Sequence, residues 1–157
     1  MGMSIGIIDD KPKKKWGHLS AKGEIQINDF RETLYIPLGW WSLDDYKKQW
    51  HEGIERLSYY DRTCFIVAVN NPQKRRFIEW WVLYKIDDKV YVQNQIIISD
   101  IYTERIGDKP FTLKTCYDFI PERGEPYDED GNKISEWVVD LVKSDEKINL
   151  TDRIRVI

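Results

Sequence analysis

Few side chains of this 157-residue chain belong to the types that perform covalent or metal chemistry. The chain has two histidines, His18 and His51, and two cysteines, Cys64 and Cys116. None of them lies at a spacing typical of a catalytic triad, a zinc site or a CxxC pair, and the glycines form neither GxGxxG nor a P-loop. We therefore predict a protein that is not an enzyme and that uses no metal, cofactor or small-molecule substrate.

Carboxylates are the reactive groups that do cluster. The formal charge of the whole chain is −3, whereas Ser99 to Glu146 alone carries −7. The stretch YDEDGN in this region partly matches a calcium loop, but the EF-hand pattern requires a glutamate six residues after its glycine, where this chain has Trp137. Such a cluster suits a cationic protein surface as a partner, and a merely solvated turn would have the same composition.

Positive charge concentrates at the opposite end of the chain, in the run KPKKK. Residues 1–22 show no sustained hydrophobic period, so we predict that they form a peripheral arm. Lys11, Lys13, Lys14 and Lys15 of this arm have the composition of a nucleic-acid contact, and equally that of a solvated tail.

The element that must position these groups is a hairpin over residues 76–98, RFIEWWVLYKIDDKVYVQNQIII. Aromatic and β-branched side chains dominate both of its strands, and Asp87 and Asp88 supply the turn. Since both faces of the first strand are largely apolar, the hairpin is expected in the middle of a sheet, covered on both sides.

Shorter patterns predict the other elements, and together they predict an α+β domain with an antiparallel sheet and one main amphipathic helix packed on it. We expect one domain over 1–157, with a core at 23–142 and a tail at 143–157 that no pattern places. The predicted elements are strands at GEIQIND and at FRETLYIPL, which ends near Pro37, a helix from Leu43 to about Ser58 capped by Ser42, a buried strand at Arg62–Val69, a short helix near Leu113–Phe119 and a strand within KISEWVVDLV.

The cellular location is predicted from the absence of membrane-span and signal-peptide patterns. No run approaches the roughly 20 apolar residues of a membrane span, and the first residues carry acids where a signal peptide has a basic region. Two isolated cysteines fit a reducing compartment. We therefore predict a cytoplasmic protein that does not bind membranes.

Four ordered blocks between Ile25 and Leu141 resemble the immunity proteins (CdiI type) of bacterial contact-dependent growth inhibition (CDI) systems. The blocks are INDF with PLGWW and DDYKKQW, then FIEWWVLY, then KVYVQNQIII, then DFIPERGEPYDEDGNKISEW. The likeness is greatest to the group whose partner is a toxin domain similar to a colicin ribonuclease that cuts 16S ribosomal RNA. The resemblance implies an antiparallel β fold likened to Whirly-type proteins, and a function in binding the C-terminal toxin domain of CdiA (CdiA-CT) and blocking its active site.

An RNA-cleaving domain must present cations to phosphates, and an inhibitor can oppose those cations with carboxylates on a loop-rich surface. Two other functions stay open at this stage: a single-stranded nucleic-acid binder on the same sheet, which the acidic charge disfavours, and a scaffold protein unrelated to toxins. The residues that we predict to bind the toxin are Glu122, Glu125, Asp128, Glu129, Asp130 and Glu136.

Overall fold

The structure, a computed structural model, describes residues 2–15, 17–70, 77–98, 106–124, 134–143, 146–147 and 150–157. Within these residues most strands belong to two four-stranded sheets. The elements in chain order are β1 (Met3–Lys15), β2 (His18–Ile27), β3 (Phe30–Pro37), α1 (Leu43–Arg56), β4 (Arg62–Val69), β5 (Phe77–Ile86), β6 (Lys89–Ile98), a 3₁₀ turn (Cys116–Phe119), β7 (Glu136–Asp140), β8 (Val142–Lys143), β9 (Glu146–Lys147), α2 (Leu150–Arg153) and β10 (Ile154–Val156).

The predicted hairpin is confirmed as the centre of the second sheet, sheet B, whose strand order is β4-β5-β6-β7. Strands β5 and β6 pair without a register shift from Phe77 opposite Ile98 to Ile86 opposite Lys89. Asp87 sits in the turn with a φ of 54°, a left-handed conformation that aspartate tolerates better than most residues.

Both faces of the hairpin are covered, as the apolar residues on both faces predict. Trp80 and Trp81 are buried and point to opposite faces because they are neighbours on one strand. The ring of Phe111 lies 6.1 Å from Trp80 on one face, and the ring of Trp137 lies 5.4 Å from Trp81 on the other. The ring of Phe30 of β3 lies 4.6 Å from the ring of Trp137. The sheet that contains β3 therefore packs over this second face.

Helix α1 begins where the sequence predicts. The Ser42 hydroxyl accepts a hydrogen bond from the Asp45 amide at 3.1 Å, and the Asp45 carboxylate accepts one from the Ser42 amide at 2.9 Å. This reciprocal capping box satisfies two amide groups that the first helical turn leaves without partners. Trp50 is fully buried on the apolar side of the helix.

Strand β4 is the terminal strand of sheet B, and α1 supplies the hydrogen bonds that a further strand would make. The amide of Gln49 accepts from the Ile66 N–H at 2.7 Å and donates to the Cys64 carbonyl at 2.8 Å. The Trp50 indole donates to the Ile66 carbonyl at 2.8 Å, and the Tyr46 hydroxyl accepts from the Val69 N–H at 3.2 Å. Helical side chains therefore close the buried edge of this strand.

Close approach of α1 to β4 depends on Gly53. A Cβ atom at this position would lie 2.6 Å from the Cys64 carbonyl oxygen, closer than real Cβ contacts. The Gly53 carbonyl accepts a hydrogen bond from the Thr63 hydroxyl at 2.6 Å. The absence of a side chain at this one helical position lets Gln49 and Trp50 reach the strand.

The first sheet, sheet A, has the order β10-β1-β2-β3, and it corrects the predicted arm at 1–22. Met3 to Lys15 is a strand, and Met3 and Ile5 are buried in the core. The arm prediction is wrong for this strand because three apolar residues at alternate positions are too few to show a period. Pairing with β2 on one side and β10 on the other buries them nevertheless.

The C-terminal tail, which no pattern placed, also enters the core. Strand β10 pairs in parallel with β1, with Ile154 opposite Met3, and Ile154 is fully buried. Sheet A is therefore mixed, and the core extends beyond the predicted limits of 23–142. The expected likeness to Whirly-type proteins stays a prediction.

The edge-closing role of Gln49 predicts a large loss of stability in Gln49→Leu, which keeps a similar volume. The substitution leaves a buried N–H and a buried C=O without partners, and each such group costs about 1–3 kcal/mol. We expect urea denaturation to show a decrease of about 2–5 kcal/mol in the free energy of unfolding. Gln26→Leu on the half-buried outer side of β2 is the control, and equal stability of the two variants would contradict this assignment.

Glu79 on β5 predicts a pH-dependent effect. Burial raises the pKa of this carboxyl, although Asn94 donates a hydrogen bond to it at 3.2 Å. Because the folded-state pKa lies above the unfolded one, ionisation destabilises the fold at neutral pH, and this cost disappears as the pH falls. Glu79→Gln should therefore raise Tm at about pH 7.5, and the gain should shrink towards about pH 4. A constant gain at both pH values would argue against a burial effect, and Glu55→Gln on the exposed side of α1 is the control.

Candidate protein-binding surface

The structure describes two of the six carboxylates predicted to bind a toxin. Glu122 is exposed, just after Pro121 in a segment without regular secondary structure, whereas Glu136 begins β7 with only 13% of its side chain exposed. Glu125, Asp128, Glu129 and Asp130 lie outside the described residues. Contact of these six residues with a partner stays a prediction.

Glu136 is held by an arginine from the segment that precedes the acidic run. The Arg123 Nε donates to one oxygen of Glu136 at 3.0 Å, and the Arg123 Nη2 donates to the other at 2.7 Å. Gln93 of β6 donates a third hydrogen bond to Glu136 at 2.7 Å. A two-pronged guanidinium and carboxylate pair is geometrically restrictive, so it fixes residues 121–124 against β7.

A line of polar side chains on β5 and β6 continues this network beneath the segment. The Gln95 amide donates to the Gln93 side-chain oxygen at 3.0 Å and to the Tyr84 hydroxyl at 3.2 Å. Tyr84 in turn donates to the Pro121 carbonyl at 3.0 Å. The segment is thus bonded at two points, Pro121 and Arg123, to the sheet below.

Next to this network lies a mixed apolar and charged patch. The Arg123 guanidinium lies 4.1 Å from the centre of the Tyr91 ring, and Val138 opposite Tyr91 is 38% exposed. At the end of the same strands Lys89 forms an ion pair with Asp140, and its hydrogen bond lowers the pKa of that carboxyl. We name the patch formed by Tyr91, Glu122, Arg123, Val138 and Asp140 the β7 surface. Tyrosine and arginine at its centre and charges at its rim are typical of protein interfaces.

Sequence reasoning missed the function of Arg123 and of the glutamines. It grouped Glu136 with the acids available to a partner, whereas the structure pairs its charge within the chain. One signal was present: the run QNQ places Gln93 and Gln95 on one face of an otherwise apolar strand. Polar residues at such positions indicate a buried network or a binding edge.

A second concave region lies between α1 and β10. A cavity of about 480 Å³ is lined there by His51, Ile54 and Glu55 of the helix and by Ile154 to Val156. Nearby, the Arg56 guanidinium lies 3.9 Å from the centre of the Tyr117 ring. This outer side of the helix carries charges of both signs, among them Glu55 and Arg155.

The two histidines lie on different elements, whereas the two cysteines are neighbours. His18 lies on β2 and His51 on α1. Cys64 and Cys116 are free and buried, and burial together with the neighbouring Cys116 raises the pKa of Cys64. Within the described part of the chain, no group of three or more His, Cys, Asp or Glu side chains is arranged to hold a metal ion, and no helix is long and apolar enough to cross a membrane.

The two-pronged ion pair between Arg123 and Glu136, which we call the fork, predicts a measurable coupling energy between the two side chains. In a double-mutant cycle with Arg123→Ala and Glu136→Ala, we expect a coupling energy of about 1 kcal/mol, because the pair is two-pronged and partly shielded from solvent. The control cycle uses Lys89 and Asp140, whose side chains are 50% and 57% exposed and should couple more weakly. Urea denaturation measures both cycles, and a weaker coupling at Arg123 than at Lys89 would refute a positioning function for the fork.

Comparison with known proteins supplies the context for this surface. The family of the CdiI N-terminal domain matches residues 36–146. The immunity protein CdiI of Enterobacter cloacae subsp. cloacae is 37% identical over 139 residues, which are 83% of this chain and 86% of that protein. A solved CdiA-CT/CdiI toxin and immunity complex from Enterobacter cloacae contains a chain with 37% identity and a TM-score of 0.72, and the match covers 87% of this chain and 89% of that one. This chain therefore belongs to the CdiI family of immunity proteins.

Proposed function

We propose that this protein binds the C-terminal toxin domain of a cognate CdiA protein and neutralises it. The observation that carries the proposal is the likeness, at 37% identity and a TM-score of 0.72, to a chain of the Enterobacter cloacae toxin and immunity complex. At this identity, and with coverage of most of both chains, the fold and the general function are commonly shared. The protein acts by stoichiometric binding and carries out no chemistry on the toxin.

The mode of neutralisation that fits this chain is occlusion of a cationic active site. The toxin domain is, in this proposal, a ribonuclease that acts on 16S ribosomal RNA, and its substrate-binding surface carries lysine and arginine. The C-terminal half of this chain supplies the opposite charge, since Ser99 to Glu146 carries −7. Complementary charge speeds the encounter of the two proteins, and the acidic surface repels other acidic proteins. The protein meets such a toxin in the cytoplasm, where ribosomes are found.

The β7 surface is the region we assign to the toxin. Glu122 is exposed, and the backbone on both sides of it is fixed through Pro121 and Arg123. A segment held in this way loses little conformational freedom on binding, which favours affinity. The carboxylates at 125 and 128–130 follow Glu122 in the sequence and extend the acidic stretch.

Co-expression tests the proposal directly. A candidate cognate CdiA C-terminal domain is expressed in bacteria with and without this protein. We expect growth to be inhibited by the toxin domain alone, to be restored by co-expression, and the two proteins to purify together in equal amounts. Restored growth without a stable complex would contradict neutralisation by binding, and continued inhibition would contradict the proposed function itself.

The acidic stretch predicts a kinetic effect. Replacing Glu122, Glu125, Asp128, Glu129 and Asp130 with the corresponding amides should slow association with the toxin domain and flatten its dependence on ionic strength. Surface plasmon resonance at low and high salt measures both quantities.

The matched control changes the net charge equally at exposed acids on other parts of the chain. It replaces Asp29, Asp44, Asp61, Asp87 and Asp152 with asparagine. This variant should keep most of the association rate and its salt dependence. Equal slowing in the two variants would show that net charge matters and that the acidic stretch is not the contact.

A further inference from the structure

The strongest feature that toxin binding does not use is the basic end of the β1–β2 hairpin. This N-terminal segment is a β-hairpin and not a solvated tail. Its lysines line a defined cavity of about 240 Å³. Five lysines border this cavity, Lys11, Lys13, Lys14, Lys15 and Lys22, against one acid, Asp9. In a chain of net charge −3, such a local excess of positive charge marks an anion-binding region.

An irregularity in the β1–β2 pairing creates the cavity. Asp9 lies opposite Lys22 and Lys13 lies opposite Ser20, so four steps on β1 match two steps on β2. The extra residues form a bulge, and the Asp9 carboxylate stabilises it by accepting from the Lys11 amide at 3.0 Å. Beyond the bulge, Lys13, Lys14 and Lys15 pair regularly with β2, whereas Lys11 lies within the bulge. All four lysines border the same concave region.

The cavity has an aromatic wall as well as charge. Tyr35 of β3 lies opposite Lys22 in the register, its ring is partly exposed, and the Lys15 ammonium lies 4.6 Å from the ring centre. Lysines that follow a phosphate backbone, next to an aromatic ring that can stack on a base, are the combination found in single-strand nucleic-acid sites.

We propose that this cavity is a binding site for single-stranded RNA, with the lysines on backbone phosphates and Tyr35 against a base. The carboxylates of the β7 surface belong to β7 and to the segment before it, whereas this site is built from β1, β2 and β3. The inference does not rest on toxin binding, and both can hold for the same molecule. RNA is favoured over an acidic protein segment because the cavity combines a stacking ring with closely spaced point charges.

Fluorescence anisotropy with a labelled single-stranded RNA of about 12 nucleotides tests the site on the isolated protein. The variant Lys11→Gln, Lys13→Gln and Lys14→Gln removes three exposed lysines of the cavity. We expect affinity at about 50 mM salt to fall at least about tenfold, and the slope of log affinity against log salt to decrease by about 2, since each phosphate contact on a single strand contributes about 0.7.

The matched control removes three exposed lysines from other elements, Lys48, Lys109 and Lys114, and should keep the affinity and slope of the wild-type protein. Tyr35→Leu should weaken binding to RNA more than binding to polyphosphate, because it removes the base contact and keeps all five lysines. Equal losses in the two lysine variants, an equal effect of Tyr35→Leu on RNA and polyphosphate, or absence of RNA binding by the wild-type protein would overturn the proposal. Toxin neutralisation by the cavity variant should be intact, which separates this result from the proposed function.

Discussion

The fold depends on how the buried edge of β4 is closed. Seven consecutive residues of this strand, from Thr63 to Val69, are buried, yet among the described strands it pairs with β5 alone. Its outer backbone groups must find partners, because a buried N–H or C=O without a hydrogen bond costs about 1–3 kcal/mol. Tyr46, Gln49 and Trp50 provide them from one side of α1. The helix therefore replaces a missing strand and prevents edge-to-edge association.

The same contacts connect the helix to the loop that carries the candidate surface. Besides its two bonds to β4, the Gln49 side chain donates to the Tyr117 hydroxyl at 3.1 Å, and Tyr117 donates back to the Gln49 carbonyl at 3.2 Å. Tyr117 belongs to the 3₁₀ turn that leads to Pro121 and Arg123. The path from the buried edge of β4 to the β7 surface thus runs through hydrogen bonds and short chain segments.

Much of this arrangement could be predicted from sequence, because the longest elements have strong local signals. The hairpin of β5 and β6 has continuous apolar faces and an Asp-Asp turn, and α1 has Ser42 as its cap, so each is recognisable on its own. By contrast, β1 and β10 are buried only because they pair with each other and with β2. No local period could reveal a parallel pair between residues about 150 positions apart, such as Met3 and Ile154.

The candidate site was harder to predict than the fold for a related reason. Composition located an acidic region, but charge counts do not show which acids are already paired within the chain. Glu136 was counted as available, and its pairing with Arg123 depends on how residues 121–124 lie over the sheet. Likewise the run of lysines near the N-terminus has the composition of a tail, and only its pairing with β2 shows that these lysines border a cavity. Long-range geometry decides the outcome in both cases.

Hydrogen exchange of this protein, free and in complex with a catalytically inactive cognate toxin domain, tests the central claim most directly. If the β7 surface receives the toxin, the amides of residues 122–124 and of β7 should exchange more slowly in the complex, while those of the outer side of α1 and of β10 should be unchanged. Slower exchange confined to α1 and β10, with residues 122–124 unaffected, would contradict the assignment and place the toxin on the helix.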